Sequence, residues 1–183
     1  MLIATTVNST KDLEQIHELN QRNLKTNLSP AEQGAEGFVS WLYSMELLEQ
    51  MHRLAASIVV KEGDKVVAYA LATLKESRSF HADLDKMFLF LEPVLYKDKP
   101  LSKCNYYCMG QICVSAGYRG KGIVPMLYGK HREVYGGQFE FLLTEISTSN
   151  PRSQKAHEKT GFKTIHTYRD QNDEWNVVVW DWH

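Results

Sequence analysis

Arg119-Gly120-Lys121-Gly122-Ile123-Val124 is the stretch that decides the fold. It lies between an apolar, strand-like run from Met109 to Ser115 and a helix-like run from Met126 to Tyr135. A strand, a glycine-bearing turn and a helix start together make an anion site. The first N–H groups of a helix lack intrahelical partners, and the helix dipole adds roughly half a positive charge there. Gly120 and Gly122 let the backbone approach a phosphate closely, while Arg119 and Lys121 add formal charge. Two better-known phosphate loops are excluded. Lys121 is followed by Gly122 rather than Ser or Thr, and there is no GxGxxG with an acidic residue after a second strand. A short diphosphate cradle is left, with a plain chain reversal as the other reading of the hexapeptide taken alone.

The rest of the chain bounds what that turn serves. At 183 residues it is one domain's worth, enough for a sizeable core without disulfide staples. Hydrophobic residues make up 43% and charged residues 23%, ordinary for a soluble globular protein. Net charge is −1 and the pI about 6.7, so no global basic field favours nucleic acid or an anionic membrane. Phosphate binding is therefore local. Cys104, Cys108 and Cys113 are not spaced like a common zinc site and read as reduced thiols in or near a strand. No histidine pair has HExxH-like spacing, so no metal is expected. The first seven residues lack the basic and long apolar parts of a signal peptide, and no run approaches the roughly 20 apolar residues of a membrane span. The expected location is the cytoplasm.

Periodicity predicts an α/β (α+β) domain with a mixed sheet covering residues 1–183. Strands are expected at 2–7, 56–60, 66–72, 106–114, 139–147, 162–168 and 175–182, and helices at 11–20, 38–53, 121–135 and from Pro151 to Thr160. Glu62-Gly63-Asp64-Lys65 marks a hairpin turn. Residues 21–37 read as a loop with broken helical turns, and Phe38, Trp41 and Tyr43 as an aromatic cluster on the second helix. Residues 77–103 mix His81, Asp83 and Asp85 with the apolar Met87-Phe88-Leu89-Phe90-Leu91, and read as an insertion that covers the sheet edge or forms a lid.

A second motif narrows the first. Asn150-Pro151-Arg152-Ser153-Gln154-Lys155-Ala156-His157-Glu158-Lys159-Thr160-Gly161-Phe162 opens with a helix cap and first-turn proline and closes on a glycine cap. Together with Ile112-Cys113-Val114 and Arg119-Gly120-Lys121-Gly122, it resembles the GNAT superfamily of acyl-CoA-dependent N-acyltransferases. That resemblance implies a mostly antiparallel central sheet flanked by helices, with a splayed strand pair that binds acetyl-CoA. It implies that Arg119, Gly120, Lys121, Gly122, Ile123 and Val124 hold the diphosphate, although Val124 stands where a small residue is usual. It implies further that the backbone of Ile112, Cys113 and Val114 pairs with the pantetheine arm, and that Asn150 and Ser153 contact the cofactor. An extended amide-bearing ligand completes an open sheet edge.

The same resemblance implies acetyl transfer to a primary amine by direct attack in a ternary complex, without a metal. His157 stands where the family usually places a tyrosine that protonates the departing thiolate. An imidazole with pKa near 6.5 is a chemically sound replacement. Glu145 is the carboxylate expected to act as base, with Gln111 and Tyr107 on the preceding strand near the same cleft. A catalytically silent acyl-CoA-binding or sensing module is the alternative on this fold. The acceptor is a small-molecule or peptide amine of unspecified class, not nucleic acid or membrane, and a homodimer is left open.

Overall fold

The computed structural model describes residues 1–171 and 173–182. The chain runs β1 (Leu2–Thr6), α1 (Thr10–Arg22), α2 (Pro30–Glu36), α3 (Met45–Leu54), β2 (Ile58–Glu62), β3 (Lys65–Thr73) and α4 (Ala82–Leu91). It continues through β4 (Leu95–Tyr96), β5 (Lys99–Pro100), β6 (Tyr106–Val114), α5 (Ile123–Tyr135), β7 (Phe141–Ser147), α6 (Pro151–Thr160), β8 (Lys163–Arg169) and β9 (Glu174–Asp181). One seven-stranded sheet has the order β1-β2-β3-β6-β7-β9-β8. Its neighbours are antiparallel except for β6 and β7. The splayed, mostly antiparallel α/β architecture implied by the motifs is the one observed.

Alternation along β3 explains why helices cover both faces. Tyr69 and Leu71 pack with Leu13 and Ile16 of α1 and Leu47 and Leu48 of α3. Ala68, Ala70 and Ala72 face the other way, against Ile123, Leu127 and Tyr128 of α5. The small side chains bring α5 close to the sheet. Each buried Leu or Ile in these layers contributes about 1.5–3 kcal/mol through removal from water. The stretch 77–103 supplies α4 and the β4–β5 hairpin; Phe88, Leu91 and Leu101 cover Phe141, Leu143 and Val179 on the β7–β9 half of the sheet.

The broken helical turns expected at 21–37 are a 3₁₀ turn at Lys25–Asn27 and α2, where Ser29 and Glu32 form a reciprocal capping box around Pro30 at the first helical position. One expectation fails for a local reason. The helix expected at 38–53 begins only at Met45, where the Ser44 side chain accepts from the Leu47 N–H. Phe38, Trp41 and Tyr43 therefore lie on a non-helical segment that crosses the sheet end.

The fork between β6 and β7 positions the site. The two strands pair only at Tyr106↔Phe141, Tyr107↔Leu142 and Cys108↔Leu143, although both continue. On the other side of β6, the register against β3 shifts between Ala70 and Ala72, so Gly110 and Gln111 form a bulge opposite Leu71. The Thr144 hydroxyl donates to the Met109 carbonyl at 2.8 Å across the mouth of the fork. Gly110 is required there. A Cβ would lie 2.4 Å from Thr73 Oγ1 and 2.8 Å from the Tyr43 hydroxyl.

Candidate active site

The fork joins two cavities of opposite charge. The first, about 410 Å³, lies between the end of β6, the turn before α5 and α6. Arg119, Arg152, Lys155 and Lys159 line it, with no carboxylate among the described residues. The second, about 940 Å³, is lined by Asp83, Glu145, Asp170 and Asp173 against Lys25 and Lys86. Phe38, Val39, Ile112, Asn150, Ser153 and His157 line both, so the cavities meet at these residues. The chain's near-zero net charge conceals this segregation.

The turn before α5 has the geometry its glycines allow. Gly120 and Gly122 have φ of +76° and +74°, and Gly122 is the left-handed N-cap of α5. A Cβ on either would meet nothing within 4 Å, so these glycines serve backbone conformation and leave space above the turn. The helix therefore starts at Ile123, two residues after the expected Lys121. Ile123 and Val124 contribute first-turn N–H groups, whereas Pro125 has none. Arg119 also holds the turn in place: Nε donates to the Val114 carbonyl at 2.9 Å, and Nη2 to Asn23 Oδ1 at 2.6 Å. Lys121 is outside the lining, with Nζ 5.1 Å from the centre of the Tyr118 ring. Ile112, Cys113 and Val114 line the groove, and burial pushes the Cys113 thiol up to about 12, so that thiol stays protonated.

Asn150 connects three segments. Its Oδ1 accepts from the Ser153 N–H at 3.2 Å and caps α6, while Nδ2 donates to the Phe38 carbonyl at 3.1 Å. Val39 is stitched to the end of α1: its N–H donates to the Asn23 carbonyl, and its carbonyl accepts from Lys25 N–H. The strap Gly37–Val39 thus crosses where the cavities meet. Both ends of the Asn150 amide are engaged within the protein.

His157 is 2% exposed. Its Nδ1 lies 2.7 Å from the Ser153 carbonyl, an obligate acceptor, so Nδ1 carries the proton. Nε2 then accepts from the Tyr128 hydroxyl at 2.5 Å. Burial pushes the imidazole pKa down to about 4, with the Ser153 contact opposing. This corrects the expectation of titration near neutrality: the ring is neutral at pH 7 and both nitrogens are occupied.

Glu145 lines the larger cavity from β7. Burial pushes its carboxyl up to about 7, and the Tyr168 hydroxyl, donating to Oε1 at 2.8 Å, pulls the other way. Gln111 shares the cavity, but its amide accepts from the Tyr69 hydroxyl and donates to the Trp41 carbonyl. Tyr107 is buried elsewhere, on His131. Of the acids in the 77–103 stretch, Asp83 lines the cavity, whereas Asp85 pairs with Arg78.

Comparison with known proteins bears directly on this arrangement. A family model described as "Acetyltransferase (GNAT) family" matches residues 13–162. The chain belongs to the GNAT acetyltransferase family. Among solved structures, it is similar to the ribosomal-protein-S18-alanine N-acetyltransferase from Escherichia coli, with 13% identity, TM-score 0.65 and coverage of 99% of this chain and 94% of that one. It is similar to Ard1 from Thermoplasma volcanium at 13% identity and TM-score 0.66, covering 98% and 97%. A NatC complex bound to Gag peptide and CoA gives 10% identity and TM-score 0.66, covering 100% and 99%. These likenesses establish the fold. No curated protein matched by sequence.

The GNAT motifs marked the turn and the Asn150–Phe162 helix but missed three cations. Arg152, Lys155 and Lys159 sit at helical spacings of three and four, which places them on one face of α6, toward the groove. That signal was in the sequence. Tyr128, the partner that fixes His157, had none, since the contact spans 29 positions.

Proposed function

We propose that the protein is an N-acetyltransferase that moves the acetyl group of acetyl-CoA to a primary amine by direct attack in a ternary complex. The observation that carries this reading is the meeting of a cationic groove and an acidic cleft at the β6–β7 fork. In this reading the diphosphate rests on the Arg119–Val124 turn, with Arg152, Lys155 and Lys159 adding charge. The pantetheine arm follows the edge of β6 at Ile112, Cys113 and Val114, left without a β7 partner beyond Cys108. The thioester then lies where the two cavities join.

Glu145 takes a proton from the substrate ammonium, directly or through water, and the freed amine attacks the thioester carbonyl. Backbone N–H groups beside the β6 bulge face the developing oxyanion. As the tetrahedral intermediate collapses, the C–S bond breaks and the proton still carried by the new nitrogen goes to sulfur. His157 acts as a positioning residue, holding Ser153 and the start of α6 against Tyr128. A carboxyl titrating near 7 is matched to proton transfer at neutral pH.

The test is a thermal melt with acetyl-CoA, followed by thiol release with an amine panel. Acetyl-CoA at a hundred times its dissociation constant stabilises by about 2.7 kcal/mol, a clear rise in midpoint. A midpoint unmoved at millimolar acetyl-CoA would overturn the reading.

A further inference from the structure

The larger cavity carries information about the acceptor, given the acetyl-transfer reading above. At about 940 Å³ it lies at the upper end of small-molecule sites. Two pairs of rings form its walls. Trp41 and Tyr43 have centroids 4.4 Å apart, and Phe90 and Tyr168 3.9 Å apart. Phe90 is 39% exposed, an apolar ring presented to an open cleft.

The charges at the rim are already engaged. Asp83 lies 3.4 Å from Lys86. Asp173 accepts from the Ser147 and Ser149 hydroxyls and lies 3.9 Å from Lys25. Asp170 accepts from the Asp173 N–H at 2.8 Å. A polycation would meet Lys25 and Lys86 set among these acids. A carboxylate fares worse, because no arginine among the described residues lines the cavity and both lysines face acids. Glu145, on β7 beside the fork, carries no ion pair among the described residues and suits a single ammonium, while ring faces favour a cation with an apolar body.

We propose that the acceptor is a singly charged primary amine joined to an aromatic or bulky apolar body, with no carboxylate beside the amine. A free arylalkylamine and a peptide N-terminus bearing an aromatic first residue share this chemistry.

The experiment measures thiol release from acetyl-CoA with phenethylamine, phenylalaninamide, a Phe-Ala-Ala amide, free phenylalanine and spermidine, alongside the acetyl-CoA midpoint shift. At least one of the first three is expected to exceed phenylalanine and spermidine in kcat/KM by tenfold or more. Preference for phenethylamine identifies a free amine; preference for the tripeptide identifies a chain terminus. Phe90→Ala is expected to raise KM for the best amine roughly tenfold and to leave the acetyl-CoA midpoint shift in place. Spermidine or phenylalanine as the best substrate overturns the proposal, and so does a silent panel from protein that still binds acetyl-CoA. Loss of acetyl-CoA binding itself would instead overturn the transfer reading, and the acceptor proposal with it.

Discussion

Tyr168 on β8 reaches over β9 to Glu145 on β7, its hydroxyl donating to Oε1 at 2.8 Å. Burial is the larger influence on this carboxyl and raises its pKa to about 7; the Tyr168 bond lowers it. The base is the deprotonated form, so kcat/KM should rise with pH through about 7 and level off above it. Tyr168→Phe removes the opposing hydrogen bond and should move this limb to higher pH. Glu145→Gln should abolish the limb and slow turnover roughly 10²-fold or more. A pH–rate profile of the three proteins checks this, and an unaltered limb in Glu145→Gln would remove Glu145 from the chemistry.

Two buried imidazoles contribute to loss of stability in acid. His131 and His157 are both pushed down to about 4 by burial, against about 6.5 in the unfolded chain. Between those values the unfolded state binds more protons, so stability falls as pH drops from 6.5 to 4, by about 3 kcal/mol per ring at full effect. Glu145 works in the opposite sense. Its folded pKa is raised, so between about 7 and 4.5 the folded state binds more protons and gains stability as pH falls. The urea midpoint should therefore decline with acid, and decline more steeply in Glu145→Gln. His157→Gln should flatten the decline.

The turn before α5 and the helix after Asn150 were legible because their signals are local. Positive φ at Gly120, Gly122 and Gly161, and proline at the first position of α6, are written into single residues. Phe38–Tyr43 falls outside the helix because the start signal is Ser44, an N-cap six residues after Phe38. Protonation states were not legible at all. The neutrality of His157 follows from its burial, and the raised pKa of Glu145 from packing across three strands. Such properties belong to tertiary contacts, and no spacing rule encodes them.

Gly122→Glu tests the cradle. At φ +74° any side chain is strained, and a carboxylate there repels a diphosphate in a groove otherwise lined by cations. The acetyl-CoA midpoint shift should vanish, while the apo protein loses about 1–3 kcal/mol from strain. For the unmodified protein, KM for acetyl-CoA should rise with salt, since partly exposed charges are screened. A salt-independent KM would assign the four cations to another task.

Asn150 allows its two jobs to be separated. Asn150→Ala removes both the cap of α6 and the tether to Phe38, and should cost about 1–3 kcal/mol in chemical denaturation. Asn150→Asp keeps an oxygen for the Ser153 N–H but cannot donate to the Phe38 carbonyl. Its helix cap should survive, because aspartate is as good a cap as asparagine, whereas the buried carboxylate oxygen now facing the Phe38 carbonyl costs stability of its own. The strap Gly37–Val39 would then be held from the α1 side alone, and a new negative charge would face the cationic groove. KM for acetyl-CoA should rise several-fold in Asn150→Asp despite the intact helix. Equal KM values in Asn150→Asp and the unmodified protein would confine Asn150 to capping.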